Sequence, residues 1–237
     1  MIPRPITVAA DSIASACAAL AGAALPAACP VCDGPLGRHE AGVCLPCWTE
    51  VEEVPAHPFG GRAISSITVL GRYEGRLAGI VRSLKFNALP RAGTLLGDRL
   101  ARRLLARPVR VDLVVPVPLH WRRKWARGYN QAERIGRPIA RALGRPLRCG
   151  ALVRVRFTPS QTGRDRRGRV ANVRRAFAVP PHMTVRARLE GKAILLVDDV
   201  VTTGATVREC ARILLASGAE AVHVAAAAHT PARELQS

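Results

Sequence analysis

Two adjacent aspartates, Asp198 and Asp199, follow the apolar run ILLV and precede the turn TTGAT. Paired carboxylates can accept hydrogen bonds from neighbouring sugar hydroxyls, or hold Mg²⁺ by way of water. The turn leads into a predicted helix, whose first N–H groups attract a phosphate together with the threonine hydroxyls. The residues of this loop are Thr202, Thr203, Gly204, Ala205 and Thr206. We predict a sugar-phosphate site here; the alternative is that the aspartates only cap the helix.

Four cysteines near the start of the chain form two CxxC pairs separated by 11 residues: Cys29, Cys32, Cys44 and Cys47. Four thiolates suit a closed, tetrahedral, structural zinc site. A redox-active CxxC or a disulfide pair is the alternative, but two such pairs so close together favour zinc. Three other cysteines stand alone and are expected to fill the core: Cys17, Cys149 and Cys210.

A cluster of cations follows the predicted strand VDLVVPVPL, where a pyrophosphate-binding loop would stand: Arg122, Arg123, Lys124 and Arg127. Such a cluster suits a diphosphate or a nucleic-acid backbone. Trp121, Trp125 and Tyr129 are interleaved with these cations. Their helical spacing favours packing inward, and the alternative is that they stack on nucleic-acid bases.

The composition favours anionic partners, because 36 basic and 17 acidic residues give a net charge of +19 and an isoelectric point near 11.4. Only three of the basic residues are lysines, so a GC-rich coding bias is an alternative explanation of the arginine content. A hydrophobic fraction of 49% argues against a mainly disordered chain.

Strands alternate with helices from about residue 62 onward, which predicts an α/β fold with a mostly parallel sheet. Ligands in such folds bind at the carboxyl ends of the strands. The stretch near residues 50–61 is acidic and then rich in proline and glycine, which is typical of a linker. The apolar run IASACAALAGAALPAA favours a short amphipathic helix, with a secretory signal as the alternative, and it is too short to span a bilayer. We therefore expect no membrane insertion and a cytoplasmic location.

The segment ILLVDDVVTTGAT resembles the 5-phosphoribosyl-1-pyrophosphate (PRPP) binding motif of type I phosphoribosyltransferases. Four further segments, CPVC…CLPC, YEGRLAGIVRSLKF, VVPVPLHWRRKWARGYNQA and TPSQTGRDRRGRVANVRRAF, resemble in this order the ComF family of amidophosphoribosyltransferase-like competence proteins. The resemblance implies a type I phosphoribosyltransferase-like fold preceded by a small double zinc ribbon. It implies an N-terminal helix and ribbon in residues 1–56 and the phosphoribosyltransferase-like domain in residues 57–237.

The same resemblance implies roles for the motifs. The acidic pair would hold the ribose hydroxyls and the TTGAT loop the 5-phosphate. The arginine-rich segment resembles the mobile loop that closes over PRPP, which would bring cations to the leaving pyrophosphate. Its positions that match the family pattern are Gln161, Arg164, Arg169 and Asn172. Structural Zn²⁺, and Mg²⁺ bound with PRPP, are the implied cofactors.

The resulting hypothesis is a protein that binds PRPP or a related ribose phosphate and that binds or acts on single-stranded DNA during natural transformation. One alternative is an active phosphoribosyltransferase with an unidentified acceptor. Another is a scaffold for DNA-uptake proteins. No catalytic residue is assigned, because only His229 offers a weak acid–base candidate near a strand end.

Overall fold

The computed structural model describes residues 28–37, 40, 42–54, 63–86, 89–156, 173, 175–181 and 188–230. Within these ranges the helices are α1 (Leu45–Thr49), α2 (Gly75–Phe86), α3 (Pro90–Ala106), α4 (Trp121–Arg127), α5 (Gln131–Ala142) and α6 (Ala205–Ala216). The strands are β1 (Ser66–Arg72), β2 (Leu113–Pro116), β3 (Val153–Arg154), β4 (Phe177–Ala178), β5 (Ala193–Val201) and β6 (Ala221–His229). The predicted N-terminal helix up to residue 27, and the positions Gln161, Arg164, Arg169 and Asn172, lie outside the described residues.

The central sheet has four parallel strands in the order β1–β6–β5–β2. Its strands are runs of valine, isoleucine, leucine and alanine, and β2 is buried at all four of its positions. Continuous apolar strands of this kind belong in a sheet that is covered on both faces. The prediction of an α/β fold with a mostly parallel sheet is confirmed.

Alternate residues of β5 face different layers, since successive side chains of a strand point to opposite sides of the sheet. Leu195 and Val197 pack with α2, α3, α5 and the cysteine ribbon. Ile194 and Leu196 pack with α6 and the small antiparallel pair β3–β4. This alternation also determines which layer each of the next two residues, the aspartates, will face.

The cysteine ribbon (residues 28–37 and 42–49) shares its core with the sheet domain. Cys29, Cys47 and Trp48 belong to the same buried cluster as Leu77 and Ile80 of α2. The contact is close because Gly79 has no side chain: a Cβ there would lie 2.6 Å from Cγ1 of Val31. The ribbon is therefore packed directly against α2.

The segment after the ribbon, which the sequence assigns to a linker, packs on the sheet in its described part. Val51 is buried, and the N–H of Val54 donates to the carbonyl of Leu70 at 3.0 Å. Nη1 of Arg103 donates to the carbonyls of Val54 and Val69, at 2.6 and 2.5 Å. These bonds fix residues 51–54 beside β1.

Helix α5 runs without interruption through Pro138, where the sequence predicts a kink or a new start. A buried apolar face that includes Ile135 and Ile139 holds the helix against β2 and β5 on both sides of the proline. Packing of this face compensates for the backbone hydrogen bond that proline cannot donate.

Among the helices that the structure describes, none combines the length and apolarity that a membrane span requires.

Candidate functional site

The aspartate pair lies where the sheet loses one of its strands. Strand β2 ends at Pro116, which pairs with Val197, so Asp198 is the first residue of β5 beyond it. The sequence predicts a strand over KAILLVDDV with the aspartates at its carboxyl end, and β5 indeed continues through them to Val201 beside β6. The site therefore opens because the neighbouring strand stops, while β6 keeps the backbone of the aspartates extended.

Asp198 follows Leu196 in the alternation and faces the layer of α6 and β3. Its Oδ1 accepts a hydrogen bond from the N–H of Asp199 at 2.9 Å. Loss of surrounding water raises the pKa of Asp198 to about 7, and the charge of Asp199 adds to this rise. Lys85 and Arg154 oppose the rise with their positive charges.

The raised pKa makes Asp198 a source of instability in the empty site. A carboxyl whose folded pKa exceeds its unfolded value binds its proton more tightly when folded. The protonated form of Asp198 therefore adds to the free energy of unfolding, fully so below about pH 4. This contribution is lost as the pH rises towards about 7. A ligand that offers hydrogen-bond donors or positive charge to this carboxylate would recover that loss.

Asp199 faces the opposite layer and forms an ion pair with α2. Nζ of Lys85 lies 3.2 Å from its Oδ1, and the two side chains are only 21% and 16% exposed. The ammonium of Lys85 also lies 5.8 Å from the centre of the Tyr73 ring. The sequence analysis did not identify Lys85, although it is one of three lysines in a chain that otherwise uses arginine.

The loop after the pair has the geometry of an anion site. Gly204 is in the left-handed region with φ of 72° and precedes the first residue of α6. The hydroxyl of Thr203 accepts from the N–H of Ala205 at 3.4 Å, and Thr203 and Thr206 are half-buried while Thr202 is exposed. The free N–H groups of the first helical turn carry partial positive charge. The loop can therefore hold a phosphate next to the carboxylates.

Arg208 adds a full positive charge to this loop. Its Nη2 donates to the carbonyl of Thr203, and its Nη1 lies 2.6 Å from the position that a Cβ on Gly204 would take. Position 204 favours glycine because of its positive φ, and the guanidinium of Arg208 occupies the space beside it. The sequence analysis did not identify Arg208.

The four predicted cations lie on a short helix, α4, rather than in a loop. His120 begins it, accepting the N–H of Arg122 on Nδ1 at 3.3 Å. Arg123 is half-buried, and burial together with the charge of Arg127 lowers its pKa. Burial, and next the charge of Arg123, lower the pKa of Arg154, the half-buried arginine of β3 whose charge acts on Asp198. The helix therefore brings Arg123 towards the acidic pair, while Arg122 and Lys124 are exposed.

The interleaved aromatic residues are arranged differently from the expectation. Trp121 and Trp125 are 65% and 87% exposed, so the prediction that they pack inward is wrong for both. Helix α4 buries none of its residues, because it lies on the surface. Tyr129 is half-buried as predicted, and its hydroxyl donates to the carbonyl of Leu84 at 2.5 Å.

An exposed aromatic and cationic surface results from this arrangement. Phe86, the last residue of α2, is 71% exposed, and the guanidinium of Arg127 lies 5.4 Å from the centre of its ring. The guanidinium of Arg122 lies 5.3 Å from the ring of Trp121. We call Phe86, Trp121, Trp125, Arg122 and Arg127 the aromatic surface.

The four ribbon cysteines converge as the spacing predicts, with all sulfurs within 4.8 Å of one another. The Sγ atoms of Cys29 and Cys47 are 3.9 Å apart, and those of Cys32 and Cys44 are 3.5 Å apart. A tetrahedral ion with bonds of about 2.3 Å to sulfur would separate its ligands by roughly 3.8 Å. The sulfur geometry thus fits structural zinc and is too open for disulfide bonds.

The electrostatics of the ribbon are compatible with a bound cation. Burial of Cys29 acts to raise its pKa, but backbone N–H groups outweigh it and lower the pKa to about 7. Burial and the neighbouring cysteines raise the pKa of Cys47. A bound zinc ion would offset the negative charge of the thiolates, and it would supply a structural cross-link rather than chemistry.

The chain is similar to known proteins along most of its length. The model of the phosphoribosyl transferase domain matches residues 86–237. DNA utilization protein YhgH of Salmonella typhi is 34% identical over 224 residues, which cover 84% of this chain and 96% of that protein. Competence protein F of Haemophilus influenzae is 26% identical over 223 residues, 83% of this chain and 94% of its own length.

Among solved structures, the glutamine PRPP amidotransferase of B. subtilis is similar over 56% of this chain and 25% of its own, with 26% identity and a TM-score of 0.39. The domain match covers more than half of the chain, and the curated relatives align along nearly their whole length. The resemblance noted in the sequence is confirmed: the chain belongs to the phosphoribosyl transferase domain family, in the group that includes DNA utilization protein YhgH and Competence protein F.

Proposed function

We propose that the protein binds PRPP or a related ribose phosphate at the carboxyl end of β5. The observation that carries the proposal is the junction of two carboxylates with a glycine turn and a helix start within nine residues, Asp198 to Thr206. Each half alone is common, since carboxylates cap helices and helix starts bind many anions. Together they match a ligand with vicinal hydroxyls at one end and a phosphate at the other.

The roles of the residues follow from their positions. The carboxylates of Asp198 and Asp199 accept the ribose hydroxyls. The N–H groups and hydroxyls of Thr203 to Thr206 bind the 5-phosphate, with Arg208 beside them. Bound Mg²⁺, held by the acidic pair through water, would neutralise charge on the diphosphate.

The diphosphate itself needs cations on the side of the ribose away from the phosphate loop. We assign this role to Arg123, which is half-buried like Arg127 of the same helix, together with Arg122, Lys124 and Arg127. We propose the same role for Gln161, Arg164 and Arg169, which lie outside the described residues. Cations placed at a departing diphosphate favour its release.

An active phosphoribosyltransferase with an unidentified acceptor is therefore the second candidate function, and acceptor-dependent release of pyrophosphate would distinguish it from binding alone.

The pH dependence of PRPP binding tests the proposal. Because ribose hydroxyls donate to an ionised carboxylate, a ligand that binds the charged form of Asp198 must displace its proton at low pH. We expect the affinity for PRPP with Mg²⁺ to rise about tenfold between about pH 6 and about pH 8 and then to level off. Calorimetric titration at several pH values measures this. Absence of PRPP binding by the folded, zinc-loaded protein would reject the proposal.

We further propose that the aromatic surface binds single-stranded DNA, in line with the names of the similar proteins. Exposed aromatic rings stack on bases of any sequence, and the neighbouring arginines meet the phosphates. The net charge of +19 also favours a negatively charged partner such as DNA. We place this activity in the cytoplasm, and docking of DNA-uptake proteins is an alternative use of the same surface.

Replacing Trp121 and Trp125 together by alanine should weaken binding of single-stranded DNA by at least about 30-fold, because each of two bases stacked on an aromatic ring contributes about 1–3 kcal/mol. The slope of affinity against salt concentration should stay the same, because no charge is removed. Fluorescence anisotropy with an oligonucleotide at several salt concentrations measures both quantities. Leu105→Ala removes an exposed apolar side chain of α3 and serves as the control. Unchanged affinity in the double variant would place DNA binding elsewhere.

We also propose the division of the chain that the family implies, with the ribbon in residues 1–56 and the phosphoribosyltransferase-like domain in residues 57–237. The common core of the two parts supports a structural role for the ribbon.

A further inference from the structure

Lys85 stands beside the acidic pair without a role in the proposed function. It is the penultimate residue of α2, and its ammonium lies 3.2 Å from Oδ1 of Asp199. Both side chains are mostly shielded from water, at 21% and 16% exposure. An ion pair in such a place is stronger than one on the open surface, but it also costs desolvation. Stability alone therefore gives little reason for a lysine at this position.

The choice of lysine is unusual for this chain. Arginine accounts for 33 of its 36 basic residues, and the other two lysines, Lys124 and Lys192, are exposed. A guanidinium is a flat fork that tends to cover both oxygens of a carboxylate, whereas an ammonium is a compact charge that meets one oxygen. The recorded contact of Lys85 is with Oδ1 of Asp199, and an ammonium that meets one oxygen allows the other to accept from a different donor.

Several elements hold the end of α2 in position. The ring of Tyr73 lies beneath the ammonium at 5.8 Å, and the hydroxyl of Tyr129 donates to the carbonyl of Leu84. The other end of the helix packs against Val31 of the ribbon at Gly79. These contacts fix the ammonium, and through it the rotamer of Asp199.

We infer that Lys85 positions the Asp199 carboxylate for the hydroxyls of a ribose phosphate, so that Lys85 is a positioning residue of the ligand site. The inference rests on the proposed function. Asp198 is oriented by the backbone N–H of Asp199, and Asp199 by Lys85 from the other layer. Both acceptors are then set before the ligand arrives, which lowers the cost of ordering them on binding.

The inference predicts a selective effect on the sugar rather than on the phosphate. In Lys85→Met the affinity for ribose 5-phosphate should fall about tenfold, which corresponds to one charge-assisted hydrogen bond of about 1.4 kcal/mol. The affinity for inorganic phosphate should change by less than about twofold, since the loop that binds it is untouched. Lys85→Arg should restore part of the lost affinity. Titration calorimetry at constant ionic strength and Mg²⁺ concentration measures the affinities of the wild-type protein and of each variant for the two ligands.

Lys192→Met is the matched control, because it removes an exposed lysine next to the start of β5, at the other end of the strand from the aspartates. It should leave both affinities unchanged. If the methionine variant does not fold, Lys85→Gln replaces it, since glutamine keeps a donor without the charge. An equal loss of affinity for both ligands, or no loss for either, would overturn the role of Lys85. If the wild-type protein binds ribose 5-phosphate no better than inorganic phosphate, the proposed function fails, and the role of Lys85 fails with it.

Discussion

Replacing Asp198 and Asp199 together by asparagine is expected to lower the affinity for PRPP by at least about 100-fold. Each carboxylate that accepts from a ribose hydroxyl, or from water on Mg²⁺, contributes about 1.5–3 kcal/mol through a charge-assisted hydrogen bond. An amide keeps the size of the side chain but loses the charge and one acceptor. Calorimetric titration of PRPP with Mg²⁺ measures the loss, and inorganic phosphate should bind the variant nearly as well as the wild-type protein.

Asp198→Asn alone should make the empty protein more stable above about pH 7, whereas replacing Asp199 as well breaks its ion pair with Lys85. The raised pKa of Asp198 shows that its ionised form is disfavoured in the fold, and asparagine removes that charge. Lower affinity with equal or higher stability is the pattern of a residue retained for binding. Asp98→Asn, on the exposed face of α3, is the control for loss of a carboxylate. If the double variant binds PRPP within about threefold of the wild-type protein, the acidic pair is not the ribose site.

Replacing Cys32 by serine should release zinc and lower the free energy of unfolding by an amount on the order of 5 kcal/mol, because metal binding by four thiolates is linked to folding. The ribbon shares one buried cluster with α2, so its loss exposes apolar surface of the sheet domain as well. Elemental analysis and denaturant unfolding measure the two effects. We also expect weaker binding of ribose 5-phosphate, since Lys85 stands on the helix that the ribbon supports.

Cys149→Ser is the matched control for the zinc experiment, because Cys149 is exposed, contrary to the expectation that it fills the core, and is distant in sequence from the ribbon. It should retain one equivalent of zinc and the stability of the wild-type protein. Less than about half an equivalent in the purified wild-type protein would argue against the site, since four-thiolate sites hold zinc tightly.

The fold and the motif could be predicted from sequence because both depend on short-range patterns. Strands buried on both faces appear as uninterrupted apolar runs, as in AILLV and AVHVAAAA. The site motif lies in consecutive residues, and the two CxxC pairs carry the spacing of a metal site. Local patterns of this kind do not depend on how the remote parts of the chain meet.

The parts that could not be predicted depend on contacts between distant segments. The pairing of Lys85 with Asp199 requires the path of α2 relative to β5, which no local pattern gives. The spacing of Trp121 and Trp125 fits a helix face, yet a helical period does not say whether another element covers that face. In α4 the aromatic face is uncovered. The prediction of inward packing failed for this reason.

The alternation of side chains along β5 gives the aspartate pair a mechanical consequence. Asp198 faces the layer that contains β3 and α6, and Asp199 faces the layer that contains α2 and the ribbon. A single sugar ring held by both carboxylates would connect the two layers at the carboxyl end of β5. Ligand binding would then affect both layers at once, the ribbon through Lys85 and the antiparallel pair β3–β4 through Arg154.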